Sequence, residues 1–153
     1  MAVITHQQPP ELEQDLTYGF NGAIGLEFVE ITTERVVASL EVTSAHQQPY
    51  GLVHGGIHCA LIEATTSVGG AYWALTQGLL GAVGVSNTTD FLRSVRSGRL
   101  LIEATPIHRG RRQQLWQATV TRESDGKLAA RGQVRLQNLE DSSAVGGLDP
   151  EGA

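Results

Sequence analysis

From His54 to Gln77 the chain carries one long helical pattern, with Ile57, Leu61, Val68, Tyr72 and Leu75 recurring at helical spacing. At about 1.5 Å per residue it runs roughly 36 Å, enough to be the central axis of a small domain. Gly69-Gly70 sits in its middle, at a cost of roughly 1 kcal/mol per glycine relative to alanine. Ala71 and Ala74 extend the pair into a patch of small residues. Such a patch is compensated when another backbone comes close, as when a sheet wraps against the helix. One helix that needs a wrapped sheet leaves few topologies open.

The rest of the chain supplies strands. Leu26, Phe28, Val29 and Ile31 suggest a first, and Val36, Ala38, Leu40 and Val42 alternate with Ser39, Glu41 and Thr43 as a cleaner second. After the helix, the stretch from Gly81 to Leu92 is expected to place Val83, Val85, Thr89 and Phe91 on one face. Leu100, Ile102 and Ala104 share a face of the next strand, and Leu115 to Val120 follows. Asp125-Gly126 is a hairpin signal. Beyond it Leu128, Ala130, Gly132, Val134 and Leu136 mark an antiparallel strand wet on one side. Two strands, one helix and four strands make an α+β chain: a curled antiparallel sheet of about six strands wrapped around one long central helix. Residues 1–19 are expected to form an arm with a short helix over Glu11 to Gly19. Residues 20–139 form the domain, and the Asp-, Ser- and Gly-rich residues 140–153 a disordered tail.

At 153 residues one domain with a respectable core is expected. The first ten residues lack the basic start and apolar core of a signal peptide. No apolar run approaches membrane-spanning length. The single cysteine, Cys59, excludes an internal disulfide, suits a reducing cytoplasm and reads as core packing.

Net charge is −5, but six of the eleven basic residues (Arg93, Arg96, Arg99, Arg109, Arg111 and Arg112) fall in twenty residues that hold one acid, Glu103. A +5 window in an otherwise acidic chain argues against general nucleic-acid binding and for a local polyanionic ligand. A solvated face with scattered ion pairs accounts for it equally well.

Chemistry concentrates at the start of the helix. Gly55-Gly56 opens it, and free backbone amides at a helix N-terminus can hold a developing oxyanion. Glu63 lies two turns inside an otherwise apolar stretch, where an unpaired buried charge costs several kcal/mol. Together they suggest acyl chemistry. No metal-ligand spacing is present.

The strand-helix-strand order and the motif Gly51-Leu-Val-His54-Gly55-Gly56, with an acid seven residues past Gly56, resemble the hotdog thioesterases. Phenylacetate-degradation and glutamate-type hydroxybenzoyl-CoA thioesterases look most alike. The segment Asp125-Gly-Lys-Leu-Ala-Ala-Arg-Gly132 also resembles that family's penultimate hairpin, and the likeness spans roughly residues 20–138. It implies hydrolysis of an acyl-CoA thioester, with coenzyme A as part of the substrate and no separate cofactor. Glu63 matches the catalytic acid, as nucleophile or general base. Gly55 matches the glycine whose amide polarises the thioester carbonyl, and His54 a histidine that helps hold that carbonyl. Gln48 matches a glutamine that positions the thioester or water, and Ser67 a hydroxyl position one turn past the acid. Coenzyme A contacts are implied around His108, Arg109, Gly110, Arg111 and Arg112. The resemblance further implies a homodimer with shared active sites, often paired into tetramers. An aromatic acyl group is the family-level expectation, with medium or long chains as its rival.

Plainer readings stand beside these. Glu63 can be a structural acid paired with an arginine, His54 a cap, Gln48 a loop residue, and Ser67 a donor to the preceding turn. His58 reads as structural. Asn87, Thr88 and Asp90 either line an acyl site or face water on an edge strand. A hotdog hydratase or dehydratase, and a non-catalytic acyl-CoA-binding domain, are the rival functions.

Overall fold

A computed structural model describes residues 15–141. Its elements are α1 (Phe20–Ile24), β1 (Glu27–Ile31), β2 (Val36–Val42), α2 (Gly55–Thr76), β3 (Gly81–Phe91), β4 (Gly98–Arg109), β5 (Gln113–Arg122) and β6 (Leu128–Leu139). The six strands form one sheet in the order β1-β2-β4-β5-β6-β3, with every pairing antiparallel. The sheet curls around α2, which touches all six strands. This is the expected hotdog architecture.

Alternation fills the space between helix and sheet. Val36, Ala38, Leu40, Leu100, Ile102, Ala104, Ala118, Val120, Val134 and Leu136 are buried and close over Leu61 and Ile62 of α2. The glycine pair sits where the sheet comes closest. A β-carbon at Gly69 would lie 2.6 Å from the Trp116 ring, and one at Gly70 2.1 Å from Leu136. Sheet side chains, rather than a bare backbone, therefore occupy the patch. Trp116 Nε1 donates to Gln114 Oε1 (2.8 Å), and Gln114 Nε2 donates to the Gly70 carbonyl (3.0 Å) and to Asn138 Oδ1 (2.7 Å). Asn138 Nδ2 donates to the carbonyls of Gly110 and Arg111, both at 3.0 Å. A satisfied buried network thus ties the middle of α2 to the β4–β5 loop.

Three expectations change. Asp15 is not helical, Leu16 to Gly19 is turn, and the short helix begins only at Phe20. Asp15 is the reason: its carboxylate accepts from the amide and hydroxyl of Thr17, an alternative to helical bonding. The expected helix over residues 11–14, the arm before it and the tail after residue 141 lie outside the described residues. Second, β3 does not keep one face. Its register to β6 shifts between Gly84 and Ser86, so the extra residue Val85 reverses the alternation. Gly84 pairs with Leu136, and Asn87, Thr89 and Phe91 pair with Val134, Gly132 and Ala130 on the helix side. Val83 pairs with Gln137 on the outer side. Third, the arginine window is not one patch. Arg99 and Arg109 lie at opposite ends of β4, about 33 Å apart at roughly 3.3 Å per residue.

Candidate active site

The loop before α2 is built around a buried histidine. His46 Nε2 meets the Ile24 carbonyl at 2.7 Å, Thr43 N donates to its Nδ1 at 2.9 Å, and its carbonyl accepts from His54 N at 2.8 Å. His54 is thereby placed as the N-cap of α2, and its Nδ1 accepts from Gly56 N at 2.8 Å. The cap needs a glycine behind it, since a β-carbon at Gly56 would lie 2.9 Å from that nitrogen. The capping reading of His54 therefore holds in this structure.

Capping accounts for the leading amides one by one. His54 N bonds to His46, Gly56 N to the His54 ring, and Ile57 N to the His54 carbonyl. Gly55 N makes no hydrogen bond among the described residues. It is the one donor of the first turn left for a ligand, at the positive end of a 22-residue helix. The Phe91 ring lies against Gly55, 2.6 Å from where a β-carbon would be.

Gln48 and Gly55 line one cleft of about 340 Å³, together with His58, Phe91, Arg93 and Val95. Gln48 Oε1 accepts from Tyr50 N, which turns its NH₂ into the free half of the amide. His58 is buried against Phe91, ring centroids 5.9 Å apart, and its Nδ1 has no hydrogen-bond partner among the described residues. Burial holds its pKa below the ordinary histidine value, so the neutral ring is favoured.

Glu63 lies elsewhere. Eight residues past Gly55, it sits about 12 Å further along the axis, half-buried beside β3. Asn87 Nδ2 donates to Glu63 Oε2 (3.0 Å) and to the Cys59 carbonyl (3.1 Å), while Asn87 Oδ1 accepts from Thr89 Oγ1 (2.7 Å). The other carboxylate oxygen lies over Gly84, where a β-carbon would stand 1.8 Å from it. No arginine pairs with Glu63 among the described residues. Ser67, one turn on, makes no hydrogen bond among the described residues, whereas Thr65 and Thr66 bond back to Leu61 and Ile62. The structure thus groups Gln48, His54 and Gly55, and separately Glu63 and Ser67.

The third group is at the far end of the sheet. Arg109 is already engaged: it donates to the Thr33 carbonyl (2.6 Å), pairs with Glu34 (2.8 Å) and lies 5.4 Å over Trp73. His108, Gly110, Arg111 and Arg112 border an open hollow. Arg111 and Arg112 are exposed and form no ion pair among the described residues. At the other end Arg93, Arg96 and Arg99 donate to the Leu128 carbonyl, the Tyr50 carbonyl and Ser39 Oγ.

Gly84, Phe91 and the role of Asn87 escaped sequence reasoning. Asn87 was visible as a polar residue on an apolar strand, but only the bulge decides which way it faces.

One long helix inside a curled six-stranded antiparallel sheet defines the hotdog fold, and the free amide at its start and the held carboxylate two turns later are groups that acyl chemistry can use. The chain belongs to the thioesterase superfamily, whose sequence pattern matches residues 50–129. It is 46% identical over 127 residues to a Mycobacterium tuberculosis protein whose name suggests an esterase without fixing a substrate, covering 82% of this chain and 90% of that one. The solved structure of that protein superposes with a TM-score of 0.77 over 80% of this chain and 97% of the other. A 1,4-dihydroxy-2-naphthoyl-CoA hydrolase of Escherichia coli is 34% identical over 99 residues, 65% of this chain and 71% of that one. A Haemophilus influenzae thioesterase structure is 32% identical, with a TM-score of 0.73 over 78% and 82% of the two chains. The protein is a thioesterase and hydrolyses acyl thioesters.

Proposed function

We propose that the chain hydrolyses an acyl-CoA thioester with an aromatic acyl group, in a dimer whose active sites each combine Gly55 of one copy with Glu63 of the other. The separation of the free Gly55 amide from the held Glu63 carboxylate carries this reading. One carbonyl must sit about 3 Å from both groups, and a helical side chain leaning toward the N-terminus recovers only part of 12 Å. Two antiparallel α2 helices related by a two-fold axis close the gap. The surface for such pairing is the open edge of β3, where Val83, Val85, Phe91 and the adjoining Leu92 are 39%, 54%, 57% and 52% exposed. Pairing of dimers into tetramers, as the family resemblance implies, is part of the proposal.

In the reaction the Gly55 amide binds the carbonyl oxygen as it gains charge, a contact worth roughly 3–4 kcal/mol by analogy with measured oxyanion holes. Gln48 NH₂ and His54 flank it. Glu63 either attacks the carbonyl carbon, giving an anhydride that water opens, or takes a proton from the attacking water. The carbon–sulfur bond breaks, and coenzyme A leaves as a thiolate that takes up a proton. Ser67 orients the water beside Glu63. Arg111 and Arg112, with His108 and Gly110, meet the nucleotide phosphates, while Arg109 holds their loop. The reaction so written uses no further cofactor, and a reducing cytoplasm suits it.

An aromatic acyl group is supported by the Escherichia coli relative's substrate and by the Leu52, Phe91 and Val95 walls of the cleft. Coenzyme A release from a panel of acyl-CoAs tests the reading. Aromatic acyl-CoAs should exceed medium chains in kcat/KM, and Glu63→Ala should lose about 10²–10⁴ in kcat while staying folded. Near wild-type turnover in Glu63→Ala overturns the mechanism, and a preference for aliphatic chains overturns the substrate class.

A further inference from the structure

We propose that the bulged segment Gly84–Asn87 of β3 is a positioning cradle for the Glu63 carboxylate, with Asn87 fixing one oxygen and the missing side chain at Gly84 making room for the other. It rests on the reading of Glu63 as the reacting acid and goes beyond it by assigning what aims that acid.

The cradle exists because of one extra residue. In a regular strand Gly84 and Asn87, three apart, point to opposite faces. The register shift between Gly84 and Ser86 turns both toward α2. Asn87 then spends both amide protons inward, on Glu63 Oε2 at 3.0 Å and on the Cys59 carbonyl at 3.1 Å. Its orientation is not free. Thr89 Oγ1 donates to Asn87 Oδ1 at 2.7 Å, so the NH₂ faces Glu63 and the oxygen faces Thr89. The Cys59 carbonyl lies one helical turn before Glu63, so the amide is pinned to the same helix it serves. Glu63 Oε1 occupies the volume a Gly84 side chain would fill, and even a methyl would come within 1.8 Å of it.

The consequence is an asymmetric carboxylate. Oε2 is tied to a neutral donor, and Oε1 is left for the carbonyl carbon or the water. No salt bridge among the described residues reaches Glu63, so a neutral amide, not a cation, holds it. That restrains the group without sequestering its charge. Cys59 and Ser67, one turn to either side, and Thr66, whose hydroxyl donates to the Glu63 carbonyl (3.1 Å), are neighbouring polar side chains on its helix, and Asn87 and Thr89 are those on β3. Asn87 and Gly84 are positioning residues: they act through Glu63.

The test uses the full chain and its best acyl-CoA from the panel. Asn87→Leu and Gly84→Ala should each lower kcat, by up to about a hundredfold for a misplacement near 1 Å, with KM within about twofold. Thr89→Val should fall in between, since it frees the amide without removing it. Asn87→Asp keeps the shape and sets a second carboxylate beside Glu63. Like charges disfavour joint ionisation, so the acid limb of its kcat/KM profile should move to higher pH if Asn87 lies against the reacting carboxylate, and the kcat-against-KM split of Asn87→Leu and Gly84→Ala reports the positioning itself. Glu63→Ala is run beside them. If that variant stays active, the reading of Glu63 fails. If Glu63→Ala is inactive while Asn87→Leu and Gly84→Ala keep wild-type kcat and Asn87→Asp keeps the wild-type pH profile, the cradle is overturned.

Discussion

His58 illustrates how one side chain reports on its surroundings. It sits one turn past Gly55, buried against Phe91, with Nδ1 lacking a partner among the described residues. Burial lowers its pKa from 6.5. The unfolded chain therefore binds the proton more readily, and stability must fall as pH drops through and below about 6.5. His58→Leu removes the titrating nitrogen at similar volume. Its urea midpoint should change less than that of the wild type between pH 7.5 and 5.5, since the remaining histidines titrate in both proteins. Parallel pH dependences would show that His58 protonates freely in the folded state. Sequence alone gave the residue a structural role, because burial and a missing partner leave no periodic mark. Glu63, Gly55, His54 and Gln48 stood out through spacing and the resemblance that spacing carries. Asn87 stood out only within the polar run it forms with Thr88 and Asp90, left open between an acyl site and water because a run is ambiguous until its face is known.

At the scale of elements, period was legible and its interruption was not. Helix α2 begins and ends where the apolar spacing and the His-Gly-Gly turn place it, and β2, β4 and β6 bury the alternating residues expected of them. The bulge at Val85 inserts a single residue into an otherwise regular alternation, so Val83 was assigned to the face of Phe91. The glycine pair in α2 was read correctly as a close approach, though what approaches is Trp116 and Leu136. Those partners give the two glycines different tolerances. Both partners are fully buried, but Trp116 is a rigid ring pinned by its bond to Gln114, whereas Leu136 ends in a rotatable isopropyl group. Alanine regains roughly 1 kcal/mol of helix propensity at either site, against about 1–3 kcal/mol of overpacking. Gly69→Ala should therefore be clearly destabilising and Gly70→Ala closer to neutral. Urea midpoints at equal protomer concentration measure this, and a greater loss at Gly70 would contradict the ranking.

For the whole molecule, a single chain keeps the free Gly55 amide and the held Glu63 carboxylate two helical turns apart, and leaves the outer edge of β3 unpaired among the described residues. A sheet edge carrying Val83, Val85 and Phe91 in water invites another strand, and the shared site proposed above would use that same pairing. The arrangement has a quantitative signature. Glu63→Ala removes the acid. Gly55→Pro removes the free N–H at the first helical position, where proline is well tolerated, and its added β-carbon would lie 2.6 Å from the Phe91 ring, which must turn aside. Each variant alone should be inactive. In a heterodimer one site takes Gly55 from the first chain and Glu63 from the second, and is intact; the other lacks both. Equal mixing under subunit exchange makes half the dimers mixed, so activity should return to about a quarter of wild type under two-fold symmetry. If each site lay within one chain, mixing would restore nothing. Heterodimers demonstrated by mass yet inactive, or a monomer with full activity, would refute the shared site.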